Sequence, residues 1–144
     1  MKKITKIAII TLSLIFLSAC GNNSPKKIVY TEDLSADKLE IVSFHSSFQC
    51  YACKYLGDQA KDIIDKNFEK ELNEGRISFQ RLSVEEAQNK EMVEKYQASG
   101  SSLFFNLTKD NEEKHYQDTA IWRFIGNDEK FEEYLINKIN KILN

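Results

Sequence analysis

The stretch that decides the fold is KLEIVSFHSSFQCYAC, residues 38–53. Its first half, Lys38 to His45, is short and apolar and contains β-branched and aromatic residues, which predicts a buried strand. A polar connection follows over residues 46–49. From Cys50 onward, apolar residues recur at steps of three and four, so we expect a helix that begins at the first cysteine of a C-x-x-C pair.

The rest of the chain alternates strands and helices. We expect the first helix to end at Asn73-Glu-Gly75, since glycine favours a helix C-terminus. The pattern then predicts a strand over 76–84, a helix over 83–97 capped by Ser83 and Glu86, strands over 102–107 and 114–117, an ambiguous segment over 118–125, and a helix from about Asp128. A strand, a helix and a strand in succession imply a parallel pair, and the later hairpin adds an antiparallel strand. The expected fold class is therefore α/β, in the order β-α-β-α-β-β-α, with a mixed four-stranded sheet covered by helices.

Two apolar patterns predict the core. One face of the last helix carries apolar residues at helical spacing: Phe131, Leu135, Ile139 and Ile142. Phe104 and Phe105 are neighbours on a predicted strand, so one ring should face each helix layer.

The first twenty residues are typical of a processing segment. Three lysines lie within the first six residues, and eleven mainly apolar residues follow from Ile7 to Leu17, too few for a membrane-spanning helix. Residues 17–20, L-S-A-C, resemble the lipobox of bacterial lipoprotein precursors. In that family the cysteine receives a lipid and becomes the first mature residue.

This resemblance implies a signal peptide over 1–19 and lipidation of Cys20. Residues 21–36 contain the only proline, several small polar residues and no helical period, so we expect Cys20 and a flexible tether over 20–36 and a folded domain over 37–144. The domain would then be extracytoplasmic and lipid-anchored to a bacterial membrane. The alternative is an ordinary secretory signal in which Cys20 is coincidental.

Composition argues against several classes of function. The formal net charge is −2, from 20 basic and 22 acidic residues, and the chain shows no basic stripe, so no nucleic-acid partner is expected. No G-x-G-x-x-G follows a predicted strand, so neither a flavin nor a nicotinamide is indicated. We therefore expect no dissociable cofactor.

The C-x-x-C pair is the motif that carries chemistry. A cysteine at a helix N-terminus is stabilised as the thiolate by unpaired backbone N–H groups and by the helix dipole. Cys50 has that predicted position, and Lys54 adds a positive charge nearby. Cys50 is therefore the expected nucleophile, and Cys53 is the expected resolving thiol that releases a partner from a mixed disulfide.

The position of this pair within the order of elements resembles the thioredoxin superfamily over residues 38–143. Phe44-His45, Ile121-Trp122 and residues 130–134 resemble one subgroup, the thioredoxin-like nitrophenyl compound nitroreductase subunit family. The superfamily resemblance implies thiol–disulfide exchange, with protein or small-molecule thiols and disulfides as partners. No nitroreductase activity is carried over, because the subgroup's label says little about chemistry.

Two departures from the superfamily pattern are visible. Thioredoxins place a cis-proline before the third strand, whereas Ser99-Gly-Ser-Ser102 occupies that region here, with Ser101 at the equivalent position. A cis peptide at a non-proline residue costs about 2.5–4 kcal/mol, so we expect a trans loop. The dipeptide between the cysteines is Tyr-Ala, and whether the pair oxidises or reduces its partner stays open.

Two other roles are open for the cysteine pair. Cys50 and Cys53, assisted by His45, could hold copper or zinc in a metal-binding lipoprotein. Alternatively, the pair could form an inert disulfide in a fold that serves as a binding subunit. The simpler interpretations of the histidines are a hydrogen-bonded strand end for His45 and an exposed hairpin position for His115.

Overall fold

The structure is a computed structural model that describes residues 34–144. The predicted signal peptide, Cys20 and most of the predicted tether lie outside the described residues. None of the helices formed by residues 34–144 has the length and apolar character needed to cross a membrane.

A four-stranded sheet organises the described part of the chain. The elements in chain order are β1 Lys38–His45, α1 Tyr51–Asn67, α2 Glu69–Asn73, β2 Ile77–Ser83, α3 Lys90–Tyr96, β3 Ser102–Lys109, β4 Glu112–Gln117 and α4 Asp128–Leu143, with 3-10 turns at Ala87–Asn89 and Ala120–Phe124. The strands lie in the order β2-β1-β3-β4. β1 and β2 are parallel, whereas β3 is antiparallel to both β1 and β4. This confirms the predicted α/β class and the mixed four-stranded sheet.

The two faces of the sheet carry separate cores. Ile41 and Phe105 face α1 and α4 in the larger core. Val42 and Phe104 face α3 in the smaller one, where Tyr96 packs against them. The alternation of side chains along each strand produces this division, and the prediction that Phe104 and Phe105 face opposite layers is confirmed.

Helix α4 follows its sequence pattern closely. The four predicted apolar residues are fully buried: Phe131, Leu135, Ile139 and Ile142. The helix begins beside the start of α1, where the Tyr55 hydroxyl donates to Asp128 Oδ1 at 2.5 Å. Near its other end, the Ile142 carbonyl accepts from the Ala36 N–H at 2.7 Å. The described chain therefore enters the domain at the far end of α4.

The helix predicted from Cys50 to Leu72 is in fact two helices. The Asn67 side-chain amide donates to the Ile63 carbonyl at 2.9 Å, which is the kind of local bond by which asparagine disfavours helix continuation. Phe68 then leaves the helical conformation, with φ −129°, and its ring is buried. The predicted glycine turn is present, since Gly75 has φ +70°.

The predicted capping box at Ser83 is wrong. Ser83 is the last residue of β2, and its hydroxyl accepts from the Glu85 N–H at 3.3 Å. The Asn89 side chain donates to the Ser83 carbonyl at 2.9 Å, which holds the connection in a 3-10 turn. Helix α3 therefore begins only at Lys90.

Candidate active site

The cysteine pair lies where the loop after β1 enters α1. Cys50 is the N-cap residue of α1, and its sulfur accepts from the Cys53 N–H at 3.2 Å. The two residues form a disulfide with a Cα–Cα distance of 5.1 Å. Cys50 is exposed whereas Cys53 is half-buried. The predicted position of Cys50 at a helix N-terminus is therefore confirmed, and Cys50 is the more exposed residue of the pair.

The loop before Cys50 is tied to the chain that follows β2. The Ser47 N–H donates to Glu85 Oε2 at 2.6 Å, and the Ser47 hydroxyl donates to the same oxygen. These hydrogen bonds lower the pKa of the Glu85 carboxyl. The Glu85 carboxylate, which is ionised at neutral pH, therefore holds the loop through Ser47.

A second contact joins the loop to strand β2. Arg81, on β2, donates from Nη2 to Gln49 Oε1 at 3.0 Å and forms an ion pair with Asp58. Lys54 pairs with the same carboxylate. The hydrogen bond from Lys54, followed by that from Arg81, lowers the pKa of Asp58, so this carboxylate is charged at neutral pH.

His45 ends β1 beside this network. Its Nδ1 atom lies 3.2 Å from Gln49 Nε2 and 3.2 Å from the Ser46 carbonyl oxygen. This agrees with the interpretation of His45 as a hydrogen-bonded strand end. Over residues 34–144, no group of three or more histidine, cysteine, aspartate or glutamate side chains is arranged to hold a metal ion. The structure therefore does not assemble Cys50, Cys53 and His45 into a metal site.

His115 lies elsewhere, on the edge strand β4. Its side chain is exposed, as the sequence predicts. Its ring centroid lies 4.8 Å from that of Tyr96, on the α3 face of the sheet.

Ser101 precedes β3 at the same end of the sheet as the cysteine pair. Ser102 pairs with Phe44, one residue before the end of β1, so the register places Ser101 beside the carboxyl end of β1. The expected trans loop is observed, because no peptide bond within residues 34–144 is cis. The Ser102 hydroxyl donates to the Gly100 carbonyl at 3.0 Å and shapes the loop. The role of Ser101 against a partner stays a prediction.

Two aromatic residues beside the cysteines are exposed. Phe48 has 95% of its surface exposed and Tyr51 has 74%, and they are the two exposed large apolar residues in the described range. Neither residue was predicted to form a partner-binding surface, because an aromatic residue near a motif gives no direct sign of its exposure. The available signal was that Phe48 lies in a polar connection, outside any apolar period.

Comparisons with known proteins give similar folds at low sequence identity. A solution structure of a thioredoxin from Thermus thermophilus matches with 17% identity and a TM-score of 0.44, over 71% of this chain and 74% of that chain. An uncharacterized thioredoxin-like protein from Clostridium perfringens matches with 16% identity and a TM-score of 0.41, over 79% of this chain and 90% of that chain. No protein-family model and no curated protein matches the chain. The narrower resemblance to the nitroreductase subunit family gains no support from these comparisons.

The fold is assigned on the topology itself. The element order is β-α-β-α-β-β-α, with α2 and the two 3-10 turns as short additions, and the sheet order is β2-β1-β3-β4. The C-x-x-C pair lies at the start of the first helix. These features make residues 38–143 a thioredoxin-like fold that carries a disulfide between Cys50 and Cys53.

Proposed function

We propose that this protein is an extracytoplasmic thiol–disulfide oxidoreductase, held to a bacterial membrane by a lipid on Cys20. The observation that carries the proposal is the disulfide at the N-terminus of α1, with Cys50 exposed and Cys53 half-buried. A partner thiolate can reach the outer sulfur, and the inner sulfur is placed to complete the exchange. The Cys53 N–H beside the Cys50 sulfur supports a thiolate there.

Each step of the exchange conserves atoms and electrons. In the reducing direction, the Cys50 thiolate attacks a partner disulfide, whose S–S bond breaks as a Cys50–partner disulfide forms and one partner thiolate leaves and takes a proton. The Cys53 thiolate then attacks the Cys50 sulfur and expels the second partner thiolate. Two electrons pass to the partner, and Cys50 and Cys53 end as a disulfide. The oxidising direction is the reverse sequence.

A purely structural role explains the bridge poorly. Cys50 and Cys53 are separated by only three positions in sequence. Closing so short a loop removes little entropy from the unfolded chain, so the bridge adds little to the free energy of unfolding. The helix N-terminus, in contrast, is a place where a thiol becomes reactive.

The exposed aromatic residues support a protein partner. Phe48 and Tyr51 flank Cys50 and present apolar surface to solvent. Exposed aromatic surface next to a reactive group is typical of a protein–protein contact. Small-molecule thiols and disulfides are the other predicted class of partner, and they need no such surface.

A redox titration tests the proposed activity. The full chain, purified in detergent, is equilibrated in graded thiol buffers, and alkylation at Cys50 and Cys53 is counted by peptide mass spectrometry. A reversible two-electron transition between about −120 and −270 mV is expected, as for other thioredoxin-like proteins. A pair that stays oxidised under strongly reducing conditions would be a structural bridge. Thiols that react only after a chelator is added would indicate a metal site.

The lipid anchor needs its own test. Cys20→Ser removes the acceptor of the lipid but leaves the described domain unchanged. The N-terminal peptide of the parent chain is expected to carry the mass of acyl chains on Cys20, and the variant is expected to lack that mass, because serine offers no thiol to the lipid. A parent chain whose Cys20 carries no acyl mass would contradict lipidation at Cys20.

A further inference from the structure

We propose that Arg81 is a positioning residue for the cysteine pair: it fixes the loop before Cys50 and, as part of a charge cluster below α1, favours the Cys50 thiolate. The inference rests on the proposed function, since thiolate formation matters only for exchange. Arg81 does not contact the sulfur atoms; it acts through Gln49, Asp58 and the helix above it.

The backbone of β2 brings Arg81 under α1. Arg81 pairs with Ser43 on β1, so its side chain rises from the middle of the parallel pair. Helix α1 crosses it at Gly57, where an added Cβ would lie 3.0 Å from Arg81 Nε and 3.0 Å from Ser43 Oγ. A side chain at position 57 would therefore displace the guanidinium. Gly57 is four residues beyond Cys53, which is about 6 Å along the helix axis.

The guanidinium has two partners that belong to the site. Its Nη2 atom donates to Gln49 Oε1, in the residue directly before Cys50, and its Nη1 atom pairs with Asp58. A planar fork with several donors can make both contacts at once, whereas a lysine ammonium could not reproduce that geometry. Arg81 therefore joins β2 to the loop and to α1 at the same time.

The charges of this cluster do not cancel. Lys54 and Arg81 share the single carboxylate of Asp58, which leaves one net positive charge. The side chains of Arg81 and Asp58 are 27% and 34% exposed, so solvent screens them less than it screens a fully exposed pair. Lys54 lies one helical turn beyond Cys50, and Arg81 contacts Gln49 directly before it. A net positive charge in this cluster therefore lowers the free energy of the Cys50 thiolate.

Other charged groups near the pair lie outside the cluster. Glu85 contacts the loop through Ser47, and its negative charge opposes thiolate formation. His45 contacts Gln49. On the α4 side, Asp128 accepts from Tyr55. None of these groups changes in the variants described next, so their contributions are constant across the series.

The proposal makes predictions of opposite sign for two members of one ion pair. Arg81→Met removes a positive charge, so the Cys50 thiolate becomes less favourable. Asp58→Asn removes the negative charge that the two cations share, so the thiolate becomes more favourable. A role in structure alone would shift both variants in the same direction, because both lose the same ion pair.

The test measures the alkylation rate of Cys50 as a function of pH. The reduced full chain in detergent reacts with iodoacetamide, and peptide mass spectrometry follows Cys50. At a pH below the midpoint of the profile, we expect Arg81→Met to react about threefold more slowly than the parent and Asp58→Asn about threefold faster. Lys61→Met removes a lysine that pairs with Asp65 on the same helix and should match the parent. Arg81→Lys keeps the charge and should recover part of the rate.

Either of two results would overturn the inference: an Asp58→Asn rate that equals or falls below that of the parent, or a folded Arg81→Met variant whose rate equals or exceeds that of the parent. Asp58→Asn is a conservative change at a partly exposed site, so we expect it to fold. Its alkylation rate alone tests the inference if Arg81→Met does not fold. Failure of the proposed function is distinguishable from these results. In that case the parent chain itself would show no exchange between Cys50–Cys53 and thiol buffers.

Discussion

Helices α1 and α4 pack on the same face of the sheet and have nearly the same length, 17 and 16 residues, but they begin differently. Helix α4 is capped by Asn127, whose side chain accepts from the Lys130 N–H at 3.0 Å, and acidic residues fill its first turn. Helix α1 is capped by the Cys50 sulfur, a weak acceptor, and its first turn contains no acidic residue.

The difference suits the two helices to different roles: the start of α4 favours helix stability, and the start of α1 favours a reactive thiol. The start of α4 is typical of a helix that is stabilised by its own sequence, with an oxygen acceptor and negative charges at the positive end of the dipole. At the start of α1, the corresponding backbone N–H groups and the positive end of the dipole act on the Cys50 sulfur instead. Two polar contacts then reach α1 from outside the helix: Arg81 of β2 bonds Asp58, and Asp128 of α4 accepts from Tyr55.

The largest expected effect follows from making α1 begin like an ordinary helix. Cys50→Ser supplies an oxygen N-cap and removes the nucleophile. We expect complete loss of exchange with thiol buffers, while the free energy of unfolding stays equal to that of the reduced parent or rises, because serine is a favoured N-cap. Alkylation counts in graded thiol buffers and urea unfolding under reducing conditions measure the two quantities.

Cys53→Ala is the matched variant for that experiment. It keeps the nucleophile but lacks the resolving thiol, so mixed disulfides with partners should accumulate through Cys50. A Cys53→Ala chain that traps nothing, although Cys50 still reacts with small alkylating reagents, would contradict exchange with partners.

The next effect concerns the start of α4. Asn127→Ala removes the side-chain acceptor of the Lys130 N–H, and loss of such a cap costs about 1 kcal/mol in the free energy of unfolding. The exchange rate should not change, because the Asn127 side chain bonds the first turn of α4 and not the loop that carries the cysteines. Asn127→Ser should recover most of the loss, and a variant that slowed exchange while remaining folded would break the division between the two helices.

A smaller effect is expected from an acidic residue in the first turn of α1. Ala52→Glu places a negative charge where α4 has Asp128 and Glu129. It stabilises the helix but competes with the Cys50 thiolate, by about 0.3–1 kcal/mol, which corresponds to alkylation of Cys50 about two- to fivefold slower below its pH midpoint. Ala52→Gln has nearly the same shape without the charge, and equal slowing in both variants would exclude the electrostatic explanation.

The smallest expected effect is on the free energy of unfolding at alkaline pH, and it concerns the hydrogen bond between Tyr55 of α1 and Asp128 of α4. Burial, together with the hydrogen bond to Asp128, raises the pKa of Tyr55 to about 12. Because an unfolded tyrosine has a pKa of about 10, the folded state keeps this proton longer. The corresponding stability is fully present below about pH 10 and is lost as the pH rises through about 12.

Urea unfolding at about pH 8 and about pH 11 measures that loss, at values on either side of the ordinary tyrosine pKa. The parent should lose more free energy of unfolding between the two conditions than Tyr55→Phe. Tyr51→Phe changes an exposed tyrosine and serves as the control. An equal loss in the parent and in Tyr55→Phe would show that the contact between α1 and α4 has no part in the alkaline response.

Periodic features of the fold could be predicted from the sequence. The spacing of Phe131, Leu135, Ile139 and Ile142 fixes the buried face of α4, because a helix has one period and a wide apolar stripe. The bounds predicted for β1 are those observed, Lys38–His45. The position of Cys50 at the start of α1 follows from where the strand pattern ends and the helical pattern begins.

Features that depend on a single local bond could not be predicted. The break after Asn67 comes from one amide that bonds the Ile63 carbonyl. The late start of α3 comes from Ser83 and Asn89, which hold a turn where Ser83 and Glu86 matched a capping box. In each case a side chain competes with the backbone for one hydrogen bond, and the hydrophobic pattern contains no sign of it.

The contacts of Arg81 with Gln49 and Asp58 could not be predicted from the sequence either. Arg81 is 32 positions from Gln49 and 23 from Asp58 in sequence. The register between β1 and β2 and the packing of α1 at Gly57 bring these residues together, and both are properties of the assembled fold. The sequence shows three ordinary polar residues on three different elements.

The direction of α4 has a consequence for where the protein works. Its first residue contacts Tyr55 near the cysteine pair, and the carbonyl of Ile142 near its end holds Ala36, where the described chain enters the domain. Sixteen helical residues span about 24 Å. On the proposed anchoring, the reactive sulfur lies about one helix length from the point where the tether leaves the domain. On that proposal, the predicted tether and the length of α4 together limit how far Cys50 can lie from the lipid.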